Sequence, residues 1–140
     1  MIQKLWGSSN MKTAPARVLV TSSAQEWIEK LTAQHGALLF HQSGGCCDGS
    51  SPMCYPRHEF KIGASDVYLG DIAGAPFYMS ESQFEYWRHT QLIIDVVPGR
   101  GGGFSLEAPE GIRFLTRSEV FTDEEIALLR QQGEPRRGPA

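Results

Sequence analysis

Basic residues are not in surplus in this chain. Its 13 Lys and Arg stand against 16 Asp and Glu, and a net charge of −3 with a pI near 5.8 leaves no electrostatic footprint for a phosphate backbone. No nucleic acid is expected as a partner. Long apolar runs are missing too: none approaches the roughly 18–20 residues needed to cross a bilayer, so no membrane association is expected. The opening Met1-Ile2-Gln3-Lys4-Leu5-Trp6 carries a charge with no apolar stretch behind it, which predicts no signal peptide, and Met11 is a second candidate start. Cysteine is scarce. The three present all fall between positions 46 and 54, an odd and clustered set unlike the disulfide framework of a small secreted domain. A reducing cytoplasm is the expected compartment. The chain has no internal repeats.

With 41% hydrophobic and 21% charged residues, the 140-residue chain reads as one globular domain rather than a disordered segment. Composition predicts a flexible extension over 1–14, a single domain over 15–132, and a disordered Pro-, Gly- and Arg-rich tail over 133–140. Residues 18–20 form a short β-type run. Ser23-Ala24-Gln25-Glu26 has the form of a capping box, opening a helix over 24–34 with Trp27, Ile28 and Leu31 on one face and Gly36 as its stop. Residues 37–41 look like a buried strand, with further strands at 58–62, 67–72 and 76–79. A second box at Ser80-Glu81-Ser82-Gln83 opens a short helix to about Arg88, and 91–97 is the strongest strand. Strands at 104–106 and 112–116 and a helix over 124–132, capped from Thr122, complete the order. This order predicts an α+β fold with a mainly antiparallel β-sheet and N-terminal, short internal and C-terminal helices.

Chemistry concentrates in Ser43-Gly44-Gly45-Cys46-Cys47-Asp48-Gly49-Ser50-Ser51-Pro52-Met53-Cys54. Three glycines allow positive φ and close approach, while Asp48, Ser50, Ser51 and Pro52 favour a tight turn. Thiolates prefer soft metals, so a transition metal (Zn, Fe or Cu) is one expected occupant, with Cys46, Cys47, Cys54, His41 and His58 as candidate ligands. The spacing is not the C-x2-C knuckle of structural zinc. Two thiol chemistries stay open beside it: a low-pKa cysteine acting as nucleophile, and a disulfide switch pairing Cys54 with Cys46 or Cys47.

Elsewhere, Gly99-Arg100-Gly101-Gly102-Gly103 lacks the spacing of a dinucleotide loop, and no helix follows it, so no nucleotide is expected. Asp95 stands among β-formers. On an inward face it needs a partner such as Arg100, Arg113 or a metal; on an outward face it is solvated. The aromatics of 82–89 read as core or interface, with Trp87-Arg88-His89 as a candidate pocket wall.

Three blocks carry a resemblance: HQSGGCCDGSSPMC at 41–54, SQFEYWRHTQLIIDVVPGRGGGFSLEAPEG at 82–111, and Arg113-Phe114. On these, residues from about 15 to 120 resemble the bacterial family termed domain of unknown function 779. Its members are often encoded beside aldehyde dehydrogenases, which implies an aldehyde dehydrogenase as partner and an accessory role in aldehyde or alcohol oxidation. A more distant similarity is to the HesB-like A-type iron–sulfur carriers. It rests on a strand entering Ser43-Gly44-Gly45-Cys46, then Gly103-Phe104 and Pro109. The carriers also have a C-terminal C-G-C pair, and this chain has no cysteine after Cys54, so that likeness implies the fold alone. The readings open at this point are a metal- or thiol-dependent accessory protein, a small thiol enzyme acting on an aldehyde-derived substrate, and a homo-oligomer-forming structural module.

Overall fold

The computed structural model describes residues 13–42, 50–99 and 105–139. In chain order the elements are β1 (Val18–Val20), α1 (Ser22–His35), β2 (Leu38–Gln42), β3 (Met53–Pro56), a 3-10 turn at Arg57–Glu59, β4 (Val67–Ile72) and β5 (Ala75–Met79). Then follow α2 (Glu81–Trp87), β6 (Thr90–Pro98), a second 3-10 turn at Ala108–Glu110, β7 (Ile112–Val120) and α3 (Asp123–Gln132). One sheet has the order β1-β6-β7 and the other β3-β2-β5-β4. The α+β class is as expected. The sheets are mixed: β1 pairs with β6 and β2 with β5 in parallel, while the other three pairings are antiparallel. Both parallel pairs join strands far apart in sequence, as crossover connections require.

Period-two alternation builds the core. Leu92 and Ile94 of β6 and Phe114 of β7 are buried with Leu38 and Phe40 of β2 and with Ala75, Phe77 and Met79 of β5. Phe40 stacks on Phe77, with centroids 6.2 Å apart, and meets Phe114 edge-on at 5.1 Å, so one ring joins the two sheets. Ala24, Ile28 and Leu31 of α1 recur at helical spacing in the same cluster. No helix among the described residues is long and apolar enough to cross a membrane.

Local chemistry moved several boundaries. The cap of α1 is Thr21 rather than Ser23, its side chain accepting from the Ala24 N–H, and Gly36 ends the helix at φ 81°. The expected box at 80–83 is half present: Ser80 accepts from the Gln83 N–H at 3.4 Å. Thr122 and Glu125 form a complete box on α3. The strand expected at 58–62 is absent. Arg57–Glu59 is a 3-10 turn with exposed residues, and the carboxylate of Asp66 turns the following loop by accepting from the Gly63 N–H at 2.9 Å. A strand that the sequence reading did not place lies instead at Met53–Pro56, directly after the turn-forming Pro52. At 104–106, Phe104 lies outside the described residues, and Ser105 and Leu106 belong to turns leading into the second 3-10 segment rather than to a strand. β7 runs on to Val120 because each of its residues finds a partner on β6.

The first twelve residues of the expected extension lie outside the described part. Where the sequence suggested a disordered tail, residues 136–138 lie along the free edge of β4. Arg137 bridges Val67, the Tyr68 N–H donates to the Arg136 carbonyl at 2.9 Å, and the Gly138 N–H donates to the Asp66 carbonyl at 2.8 Å. The Tyr78 hydroxyl donates to the Gly138 carbonyl at 3.2 Å, and Arg137 pairs with Glu81 at 2.9 Å. Covering an edge strand satisfies backbone groups that otherwise invite pairing with another chain.

Candidate functional site

Strand pairing decides which sequence-flagged residues meet. On β2, Phe40 is in the core and His41 points to the opposite face, because successive side chains alternate. Cys54 on β3 is registered opposite Phe40, and His41 opposite Met53. Cys54 therefore lies on the core side, fully buried, while His41 lies on the other. The His41 ring packs 5.0 Å from Phe60. Its Nε2 is 3.1 Å from the Asp66 carboxylate but makes no aligned hydrogen bond. His58 sits on the exposed 3-10 turn beside Glu59, 3.4 Å from its carboxylate. Neither histidine joins Cys54. Cys46 and Cys47 lie outside the described residues. Among the described residues no group of three His, Cys, Asp or Glu is placed to hold a metal ion.

Cys54 instead meets a buried polar group that the sequence did not flag. Its backbone N–H donates to the Ser105 hydroxyl at 2.8 Å, and that hydroxyl donates to one carboxyl oxygen of Glu107. The Leu106 N–H closes the turn onto the Cys54 carbonyl at 3.0 Å. Glu107 is fully buried, and its second oxygen, Oε2, makes no hydrogen bond among the described residues. Burial pushes the Glu107 carboxyl up from its ordinary value, and the Ser105 hydroxyl and the amides of Glu107 and Phe114 only partly offset this. Burial also pushes the Cys54 thiol up, and the nearby Glu107 charge adds to the effect. A thiol held protonated in this way is a weak nucleophile.

Nearby, β7 fastens both ends of the glycine-framed segment. Thr116, buried on the core face, donates from its hydroxyl to the Gln42 side-chain oxygen at 3.2 Å and from its N–H to the Ser50 carbonyl at 2.7 Å. Arg113 donates to the Ser51 hydroxyl at 2.7 Å. Gln42, Ser105, Glu107 and Thr116 thus form a polar end to an otherwise apolar core. The available signal was the Ser105-x-Glu107 alternation directly after the glycine run, two polar residues that share one face if that stretch is extended.

Asp95 takes partners other than the suggested Arg113. Arg113 is on Ser51, and Arg100 lies outside the described residues. Asp95 is on the face of β6 opposite Ile94. It accepts from the Thr21 hydroxyl at 2.9 Å, the Val96 N–H at 2.8 Å and Arg117 Nε at 2.9 Å. Arg117 is its diagonal neighbour on β7, since Asp95 is registered opposite Leu115. Partial burial alone raises the Asp95 pKa, but these three donors outweigh it and hold the carboxyl below its ordinary value. The residue ties α1 to the β6–β7 pair and makes no contact with the polar end of the core among these bonds. Trp87 is buried, whereas Arg88 and His89 line a cleft on another part of the surface.

No curated protein matches the chain. The family described as domain of unknown function (DUF779) matches residues 27–120, a stretch that includes most of α1, every strand from β2 to β7 and the whole polar end of the core. On that match, which covers well over half of the sequence, the chain belongs to the DUF779 family.

Proposed function

We propose that this protein is a cytoplasmic accessory protein that holds a thiophilic transition metal, Zn, Fe or Cu, through Cys46, Cys47 and Cys54, in support of a partner aldehyde dehydrogenase. One observation carries the reading. Cys54 is fully buried beside the Ser105–Glu107 pair, and Gln42 and Ser50, the described residues on either side of the stretch bearing the other two thiols, both bond to Thr116 of β7. Metal chemistry suits such a thiol better than nucleophilic chemistry, because a coordinated cation deprotonates a thiol that burial otherwise keeps neutral. The proposed ligand set leaves out His41 and His58, because His41 faces away from Cys54 across the β2–β3 pair and His58 sits beside Glu59 on an exposed turn. The thiol-enzyme reading loses Cys54 as a nucleophile and is left with Cys46 or Cys47. The family resemblance supports a dehydrogenase partner, and the proposed likeness to HesB-type carriers is limited to the fold, since no cysteine follows Cys54.

Cobalt(II) titration of the fully reduced protein tests this. The expected result is a thiolate-to-cobalt charge-transfer band that saturates near about one ion per chain. Cys54→Ser and Cys46→Ser should each diminish the band, and His58→Ala should leave it intact. A titration with no charge-transfer band contradicts the proposal.

A further inference from the structure

A cleft of about 360 Å³ opens between the start of β1, the C-terminal end of α2 and α3. Its volume lies within the range of small-molecule sites. Arg17, Arg88 and Arg130 line it against a single carboxylate, Glu134, so its local charge opposes the net negative charge of the chain. The carboxylate is already committed: Glu134 accepts from Arg88 at 2.6 Å, and Arg88 is also braced by Glu85 at 3.5 Å.

The other two guanidiniums are not committed. Arg17 spends one donor on the Arg88 carbonyl at 3.0 Å and makes no ion pair among the described residues. Arg130 has neither a hydrogen bond nor an ion pair there. Arg17 is nevertheless held partly out of water beside a like charge, its guanidinium 5.2 Å from the Phe84 ring centroid, with Arg88 4.7 Å from the same centroid. Burial and the Arg88 charge pull the Arg17 pKa down, and the nearby Glu134 carboxylate offsets them only in part. The one carboxylate near Arg17, Glu134, is bound by Arg88, and a desolvated cation that shares its counter-charge in this way is costly, a cost that an added anion relieves. Ile126 and Leu129, three residues apart on α3, line the same cleft and supply an apolar surface.

We propose that this cleft binds a small aliphatic monocarboxylate, its carboxylate held by Arg17 and Arg130 and its hydrocarbon body lying along Ile126 and Leu129. Planar guanidiniums match the two oxygens of a carboxylate, which a point charge does not. The inference does not depend on the cysteine segment, and it holds or fails independently of metal binding.

Calorimetric titration of the full chain with hexanoate, acetate, hexan-1-ol and inorganic phosphate tests it. Hexanoate should bind saturably and about tenfold more tightly than acetate, since its extra methylenes are only partly buried. Hexan-1-ol should not bind detectably. Arg130 is exposed and makes no hydrogen bond or ion pair among the described residues, so Arg130→Gln should fold normally yet weaken hexanoate binding by about tenfold or more. Arg17→Gln should abolish binding, with its thermal unfolding recorded alongside, and Cys54→Ser should leave it unchanged. Absence of saturable hexanoate binding overturns the proposal, as does binding unaffected by Arg130→Gln. Phosphate binding as tightly as hexanoate overturns the carboxylate assignment.

Discussion

Ser105→Ala is expected to lower the stability of this protein by about 2–4 kcal/mol, because it removes one hydroxyl that serves two buried groups. The Cys54 N–H loses its acceptor and one carboxyl oxygen of Glu107 loses its donor, leaving both carboxyl oxygens without a side-chain partner. Each buried group left unpaired costs about 1–3 kcal/mol, whereas the volume lost is small. For a chain of this length that corresponds to a fall in Tm of about 7–14 °C. Thermal or urea unfolding gives the value directly. A loss below about 1 kcal/mol would mean that the chain from Cys54 through Ser105 to Glu107 is not held as described.

The second large effect is in the dependence of stability on pH. Glu107 has a folded pKa above the unfolded value of 4.5, so between the two the native state binds the extra proton. Its contribution is fully present below pH 4.5 and is lost as pH rises through the folded value. Asp95 and Glu134 act in the opposite sense: their folded pKa values are depressed, so their contributions are lost as pH falls. Glu107→Gln keeps an oxygen to accept from Ser105 but cannot ionise. In metal-free protein the variant should therefore gain stability relative to the parent as pH is raised from 4.5, reaching a plateau above the folded pKa. Unfolding midpoints of the two proteins across that range measure the gain. Parallel profiles would show that Glu107 ionises in the fold as freely as in water.

Both predictions concern residues that the sequence did not single out, and the reason is physical. Elements with strong local signals were readable in place: β6 from its β-branched run, α3 from the Thr122 box, the core face of α1 from its 3.6-residue period. The cysteine segment was legible as a candidate site because three thiols within nine residues are a local feature. Convergence is not local. His41 and Cys54 are thirteen positions apart on paired strands, and only the register, with Cys54 opposite Phe40, puts them on opposite faces. Cys54 and Ser105 meet across fifty-one positions through a turn that was read as a strand. The tail shows the same limit. Its composition describes a loose segment, and its pairing depends on the free edge of β4.

On the proposed function, Cys54 is a buried, protonated thiol that holds a metal rather than attacking a substrate. Alkylation rates of the three cysteines, resolved by mass spectrometry near neutral pH with and without added zinc, test it most directly. Without metal, Cys54 should react about a hundredfold more slowly than a free thiol, and zinc should then protect Cys46 and Cys47 as well. Cys54 reacting first, with zinc protecting none of the three, would contradict it.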